Sequence, residues 1–283
     1  MTPWCGKLIG AAVLVTLLVP ARAPAYSVLT HDATINTVWD AAIKPLLLAR
    51  YPKTSVEALN EARAHAYGGS VIHDLGYYPF GSKFFSNLLH YVRAGDFVEA
   101  LIRNARDVNE LAFALGALSH YASDNMGRPV ATNRAVPMIY PNMRQEFGNL
   151  VTYENNPKRH ILVEFSFDVV HVAAGVYAPE AFHRFIGFKV AKDVIESAFL
   201  ETYGLDMGDL FFDRSLAIGT FSYAVGKAIP QMTKVAWKRS GKRLSDREYE
   251  KQFGTDYAKP RGWARIVGFL CAGTSASTIL ASV

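Results

Sequence analysis

The sequence predicts an all-α fold, and three observations carry that prediction. No stretch of convincing length alternates apolar and polar residues, so the pattern of half-buried strands is absent. Apolar residues instead recur at helical spacing, as in Ile35, Val38, Trp39, Ala42 and Ile43. Breakers such as Tyr51-Pro52-Lys53 and Gly68-Gly69 separate these runs into helices of ordinary length. There is no internal repeat and no linker to split the pattern, so one multi-helix domain is expected over residues 26–265. The composition agrees: 50% of the 283 residues are apolar, and Tyr and Phe are abundant, as in a well-packed globular protein.

Taken in order, Thr30 is expected to cap a first helix that runs to about Leu48, and Thr54 or Ser55 starts a second that ends at Gly68-Gly69. Ser70 to Gly81 reads as an irregular Gly/Pro/aromatic loop. Helices then follow over Lys83–Arg93, Asp96–Arg106 and Val108–Tyr121, and Asn125 to Tyr140 reads as a loop containing Gly127, Pro129 and Pro137. Pro157 suits the first turn of the next helix. Further helices are expected from Pro179 to about Leu200 and from Arg214 to about Arg239, the latter broken near Pro230. Ser245-Asp246-Arg247-Glu248 has the pattern of a capping box. Residues 266–283 carry no charge, but five are Ser or Thr, which favours a buried or frayed terminus over a membrane span.

The first 25 residues read as a secretory leader. Lys7 precedes an apolar stretch from Leu8 to Val19, and Ala23-Pro24-Ala25 offers a small-residue cleavage pattern. The mature chain is then expected to begin at Tyr26 and to lie outside the cytoplasm, secreted or periplasmic. Loss of the leader removes Lys7 and Arg22 and lowers the formal charge from +5 to +3. That is mildly basic, with no dense Lys/Arg block to argue for nucleic-acid binding. Two cysteines, Cys5 and Cys271, cannot form a disulfide framework.

The chemistry centres on His120 and Asp124, four residues apart and therefore on one helix face. An imidazole beside a buried carboxylate is costly unless a charge lies between them, and a divalent metal fills that role. A core histidine satisfied by its aspartate remains the plain alternative for an isolated pair. The rest of the chain adds candidates. His160 and Glu164 repeat the same spacing, Asp74 lies in a loop able to turn an acid toward a helix, and His90 and His31 complete the set. Asp168 and His171 continue the Glu164 face, whereas His65 and His183 are left to packing or surface roles.

This order of aromatic, His, Asp, His, His-x-x-x-Asp and His-x-x-x-Glu resembles the zinc-dependent phospholipase C family, which shares an all-α fold and a zinc cluster with the S1/P1 nucleases. By that resemblance, Asp74, His90, His120 and Asp124 hold one zinc. His31, Asp124 and the amino and carbonyl groups of Tyr26 hold a second, and His160 and Glu164 belong to a third. Asp74 is implied as the general base. Two departures stand out: Tyr26 replaces the usual Trp, and no histidine follows Asp124 in the segment that includes Val130. The third site is left with two side-chain ligands, so two to three ions are expected.

The implied activity is hydrolysis of phospholipids at a membrane surface, with Tyr77, Tyr78, Phe84 and Phe85 as either core or an aromatic headgroup pocket. The rivals are a single-strand nuclease on the same fold and a non-catalytic exported metal-binding module. Nucleic acid is the less favoured substrate, given the modest charge.

Overall fold

The structure, a computed structural model, describes residues 28–173 and 188–228, and among them there is no strand. Tyr26, the leader, His183, Pro230, the capping-box pattern at Ser245 and the apolar tail lie outside the described residues, as do the side chains of Asp168 and His171.

The architecture is built around two helices, α3 (Val56–Gly69) and α6 (Val108–Gly127), which pack along one another more extensively than any other pair among the described residues. Both have well-made starts. Ser55 accepts a hydrogen bond from the Ala58 amide, and Asp107 accepts from the Asn109 and Glu110 amides. Glu110 in turn accepts from the Arg106 amide at 2.8 Å, so a reciprocal cap fixes the entry to the longest described helix. The two helices touch through glycines. A Cβ on Gly116 would lie 2.1 Å from the Ala66 carbonyl oxygen, and one on Gly69 would lie 1.9 Å from that of Phe113. Here glycine allows the backbones to meet directly, and the helix ends at Gly68-Gly69 as expected, with both glycines inside its last turn.

The other helices wrap this pair. The first, α1 (Val28–Val38), passes through a wide π turn at Trp39–Ile43 into α2 (Lys44–Arg50) and packs against α6. Thr30 therefore sits inside a helix and does not cap one. The expected loop after α3 contains a 3-10 helix, Ile72–Tyr77, followed by α4 (Lys83–Tyr91) and α5 (Ala94–Asn104).

The largest correction concerns residues 125–140. The helix continues to Gly127, widens into a π turn at Arg128–Thr132 and resumes as α7 (Asn133–Ile139). Pro137 inside α7 has no N–H for the Asn133 carbonyl, and the Val151 amide takes that acceptor instead at 2.9 Å. The broken ladder is thus completed from outside the helix.

Next come α8 (Pro141–Phe147) and α9 (Pro157–Ala173), the latter opening on its proline as expected. Residues 188–191 are not helical, and Lys189 donates its amide to the Ala64 carbonyl before α10 (Lys192–Tyr203) begins. The described chain ends with α11 (Arg214–Tyr223) and a π turn at Ala224–Ala228.

Among the described residues, three apolar clusters fill the space between these helices. Phe85, Phe97, Phe113, Phe199 and Phe221 anchor the largest, and Trp39, Leu47 and Leu111 a second. A small third cluster, including Val136, Met143 and Val163, ties α7, α8 and α9 together. Tyr78 and Phe85 belong to the core, Phe84 is exposed, and only Tyr77 of the four candidate aromatics lies beside a site histidine, His90. Among the described residues no helix is long and apolar enough to cross a membrane.

Candidate metal centre

His120 is placed by the glycine contact between α3 and α6. One turn after Gly116, its Nδ1 reaches the Ser70 carbonyl at the end of α3, 2.8 Å away. A carbonyl only accepts, so Nδ1 carries the proton and Nε2 presents a bare lone pair. His90, on α4, repeats the arrangement, with Nδ1 donating to the Ser86 carbonyl at 2.8 Å. The two Nε2 atoms then face each other across 3.3 Å. Two acceptors at that separation repel unless a proton or a cation lies between them.

Two carboxylates reach these imidazoles from different sides. Asp74 enters from the 3-10 helix, whose Gly76 amide is held by Ser86 Oγ at 2.8 Å. Ser86 therefore fixes both sides of the site, the histidine through its carbonyl and the aspartate's turn through its hydroxyl. Asp74 Oδ1 lies 3.5 Å from His90 Nε2, and neither carboxylate oxygen has a hydrogen bond although both are fully buried. Asp124 divides its oxygens. Oδ2 lies 3.5 Å from His120 Nε2 and 3.7 Å from His90 Nε2, and Oδ1 lies 3.7 Å from His31 Nε2.

These spacings test whether an ion fits. Ligands about 2.0–2.2 Å from a tetrahedral zinc stand roughly 3.3–3.6 Å from one another. The observed distances, 3.3–3.7 Å, lie close to that range, whereas they are long for direct hydrogen bonds. Asp74, His90 and His120 form one group able to hold a metal, and His31, His120 and Asp124 form another. Since His120 has a single lone pair to give, Asp124 is the group whose two oxygens can serve both positions. Asp74, His31, His90, His120 and Asp124 thus lie in two adjoining groups that share His120.

The electrostatics are those of a buried cluster. Burial pushes the Asp74 carboxyl up to about 7, opposed by His120 and reinforced by Asp124. Burial, then Arg128, pushes His90 down to about 3. Burial alone would raise Asp124, but Arg128, His120 and His31 outweigh it and hold the carboxyl well below the usual range.

The matching family model is that of zinc dependent phospholipase C, over residues 30–212. The chain belongs to the zinc-dependent phospholipase C family. Neither a curated protein nor a solved structure matches it. Two residues of this phospholipase C-family chain had no role assigned from sequence. His73, from the 3-10 helix, stacks on the His120 ring at 4.3 Å with an interplanar angle of 1°, while His31 stacks on it at 4.1 Å. His73 is buried, and its nitrogens lack hydrogen bonds and join neither group, so it packs the imidazole in place.

Arg128 is the second. Its Nη2 lies 2.8 Å from Asp124 Oδ2, and its Nε lies 3.5 Å from Glu164 Oε1. His160 and Glu164 are adjacent on α9 as expected, with His160 Nδ1 3.1 Å from Glu164 Oε1 and His160 Nε2 2.7 Å from Asn133 Oδ1. Among the described residues no third His, Cys, Asp or Glu joins them to complete a group. A usable signal for Arg128 existed, since it stands four residues after Asp124; expecting a loop there concealed the shared face.

Proposed function

We propose that the mature protein is an exported zinc-dependent phosphodiesterase that hydrolyses glycerophospholipids in the manner of a phospholipase C, releasing diacylglycerol and a phosphorylated headgroup. Family membership supports the class of reaction. One observation carries the site: His90 Nε2 lies between Asp74 Oδ1 and Asp124 Oδ2, His120 Nε2 lies beside the same Asp124 oxygen, and Asp124 Oδ1 is turned to His31.

In this reading Asp74, His90, His120 and Asp124 hold one zinc. His31, Asp124 Oδ1 and the amino and carbonyl groups of Tyr26 hold a second. Zinc at such a centre supplies a water of pKa lowered from about 15.7 toward about 7, together with positive charge for the phosphate oxygens. Asp74 is also the general base in this reading: Oδ1 lies toward His90, and Oδ2, which has no hydrogen-bond donor, is left to take a proton from water. Ser70 and Ser86 keep the two imidazoles oriented, so their ring nitrogens need no reorganisation. Tyr77 lies beside His90 and offers an aromatic wall for a cationic headgroup.

The test sets phosphatidylcholine vesicles against single-stranded DNA, with diacylglycerol release as the expected result. Cleavage of DNA alone would replace the lipid reading with the nuclease one, and inertness toward both would favour a non-catalytic binding module. Terminal sequencing of the exported protein should find Tyr26 first, because a retained leader would deny the second position its amino ligand.

A further inference from the structure

We propose that Arg128 is a fixed cation standing where a third ion would otherwise bind, so that this centre takes two zinc ions and not three. The proposal deepens the metal-dependent reading above and rests on it.

The guanidinium enters between two carboxylates of different helices. Asp124 lies one turn earlier on the helix that continues into the π turn, and Glu164 faces it from α9. The Arg128 side chain is only 17% exposed, so its charge is held inside the cluster and not in solvent. Burial opposes that charge, but Asp124 and Glu164 more than offset it and hold the guanidinium's pKa above its ordinary value. It neither titrates nor dissociates.

The residues left for a third ion are few. Asn133 Oδ1 takes His160 Nε2, while His160 Nδ1 and Glu164 Oε1 face each other at 3.1 Å without a hydrogen bond, and no further ligand joins them among the described residues. An ion bound to Glu164 Oε1 at about 2.0–2.2 Å would lie no more than about 6 Å from Arg128 Nε. Two like charges so close, away from solvent, are poorly screened. The balance of charge agrees. Asp74, Asp124 and Glu164 contribute three negative charges, against which two divalent ions and one guanidinium already leave an excess suited to an anionic diester.

The experiment is a zinc count on the whole mature protein, saturated with zinc, dialysed and measured by plasma mass spectrometry. Two ions per chain are expected, and His160→Ala should leave that number at two. Glu164→Gln, which keeps the side-chain volume, should also leave it at two and guards against a His160 variant that does not fold. His90→Ala should remove at least one ion. Three ions in the unaltered protein, or loss of one in Glu164→Gln or in folded His160→Ala, would overturn the role of Arg128 and leave the metal reading standing. No bound zinc, or a count unmoved by His90→Ala, would overturn the metal reading itself.

Discussion

Asp74 illustrates how a ligand is made at the scale of a residue. It is fully buried and no donor reaches either oxygen, an arrangement that disfavours the ionised acid in the ion-free protein and suits a cation. Its carboxyl rises from 3.8 to about 7, chiefly through burial. Between those pH values the folded state binds a proton that the unfolded chain has released. Stability of the ion-free protein therefore falls as pH rises through that window, and the penalty is complete above about pH 7. Asp74→Asn should be more stable than the unaltered protein without zinc, by a margin that grows from pH 4 and levels off above pH 7. Melting in chelator across that range checks it, and a flat difference would contradict the assignment. The same variant should lose most of the stabilisation that zinc confers. Affinity in the unaltered protein should weaken as pH drops below about 7, where the ion must displace the Asp74 proton, a release measurable by calorimetry in buffers of different ionisation heat. The two His-x-x-x-acid pairs were legible because helical period puts such residues on one face. His73 was not, since its stacking against His120 comes from a tertiary contact that spacing along the chain does not encode.

Helix elements carry the precision of the site. Gly116 lets α6 lie against α3, and one turn later His120 meets the Ser70 carbonyl. Gly116→Ala would put a carbon 2.1 Å from a backbone oxygen that cannot swing away. Such overpacking costs roughly 1–3 kcal/mol, occasionally more. A melting temperature several degrees lower is expected, together with weaker zinc binding because the His120 anchor moves. An unchanged zinc affinity would separate the helix contact from the site. Ser86→Ala tests the other side. It leaves the buried Gly76 amide without its acceptor, worth about 1–3 kcal/mol, and loosens the turn that carries Asp74. Zinc affinity should fall tenfold or more while His90, held by the Ser86 backbone carbonyl, keeps its orientation. Sequence pattern located most of these helices to within a few residues. It fails at 125–140 because Gly127, Pro129 and Pro137 are helix breakers by residue type, whereas a π turn absorbs Pro129 and the Val151 amide replaces the bond Pro137 cannot make.

At the scale of the whole molecule, helices from distant parts of the chain deliver one ligand or pair each. His31 arrives on α1, Asp74 on the 3-10 helix, His90 on α4, His120 and Asp124 on α6, and His160 with Glu164 on α9. The order of these residues was legible in the sequence, and all of them fall within the matched residues 30–212. Their mutual distances were not, because they follow from how closely the helices cross. Arg128 alters what such a centre asks of its surroundings. Exchangeable ions are shared with every chelator nearby, but a guanidinium is inherited with the chain and cannot be withdrawn. When free zinc is scarce, occupancy of a centre that recruits two ions falls with the square of its concentration, and that of a three-ion centre with the cube. A protein with this arginine should therefore keep working at zinc levels where a fully ion-built relative has already gone silent.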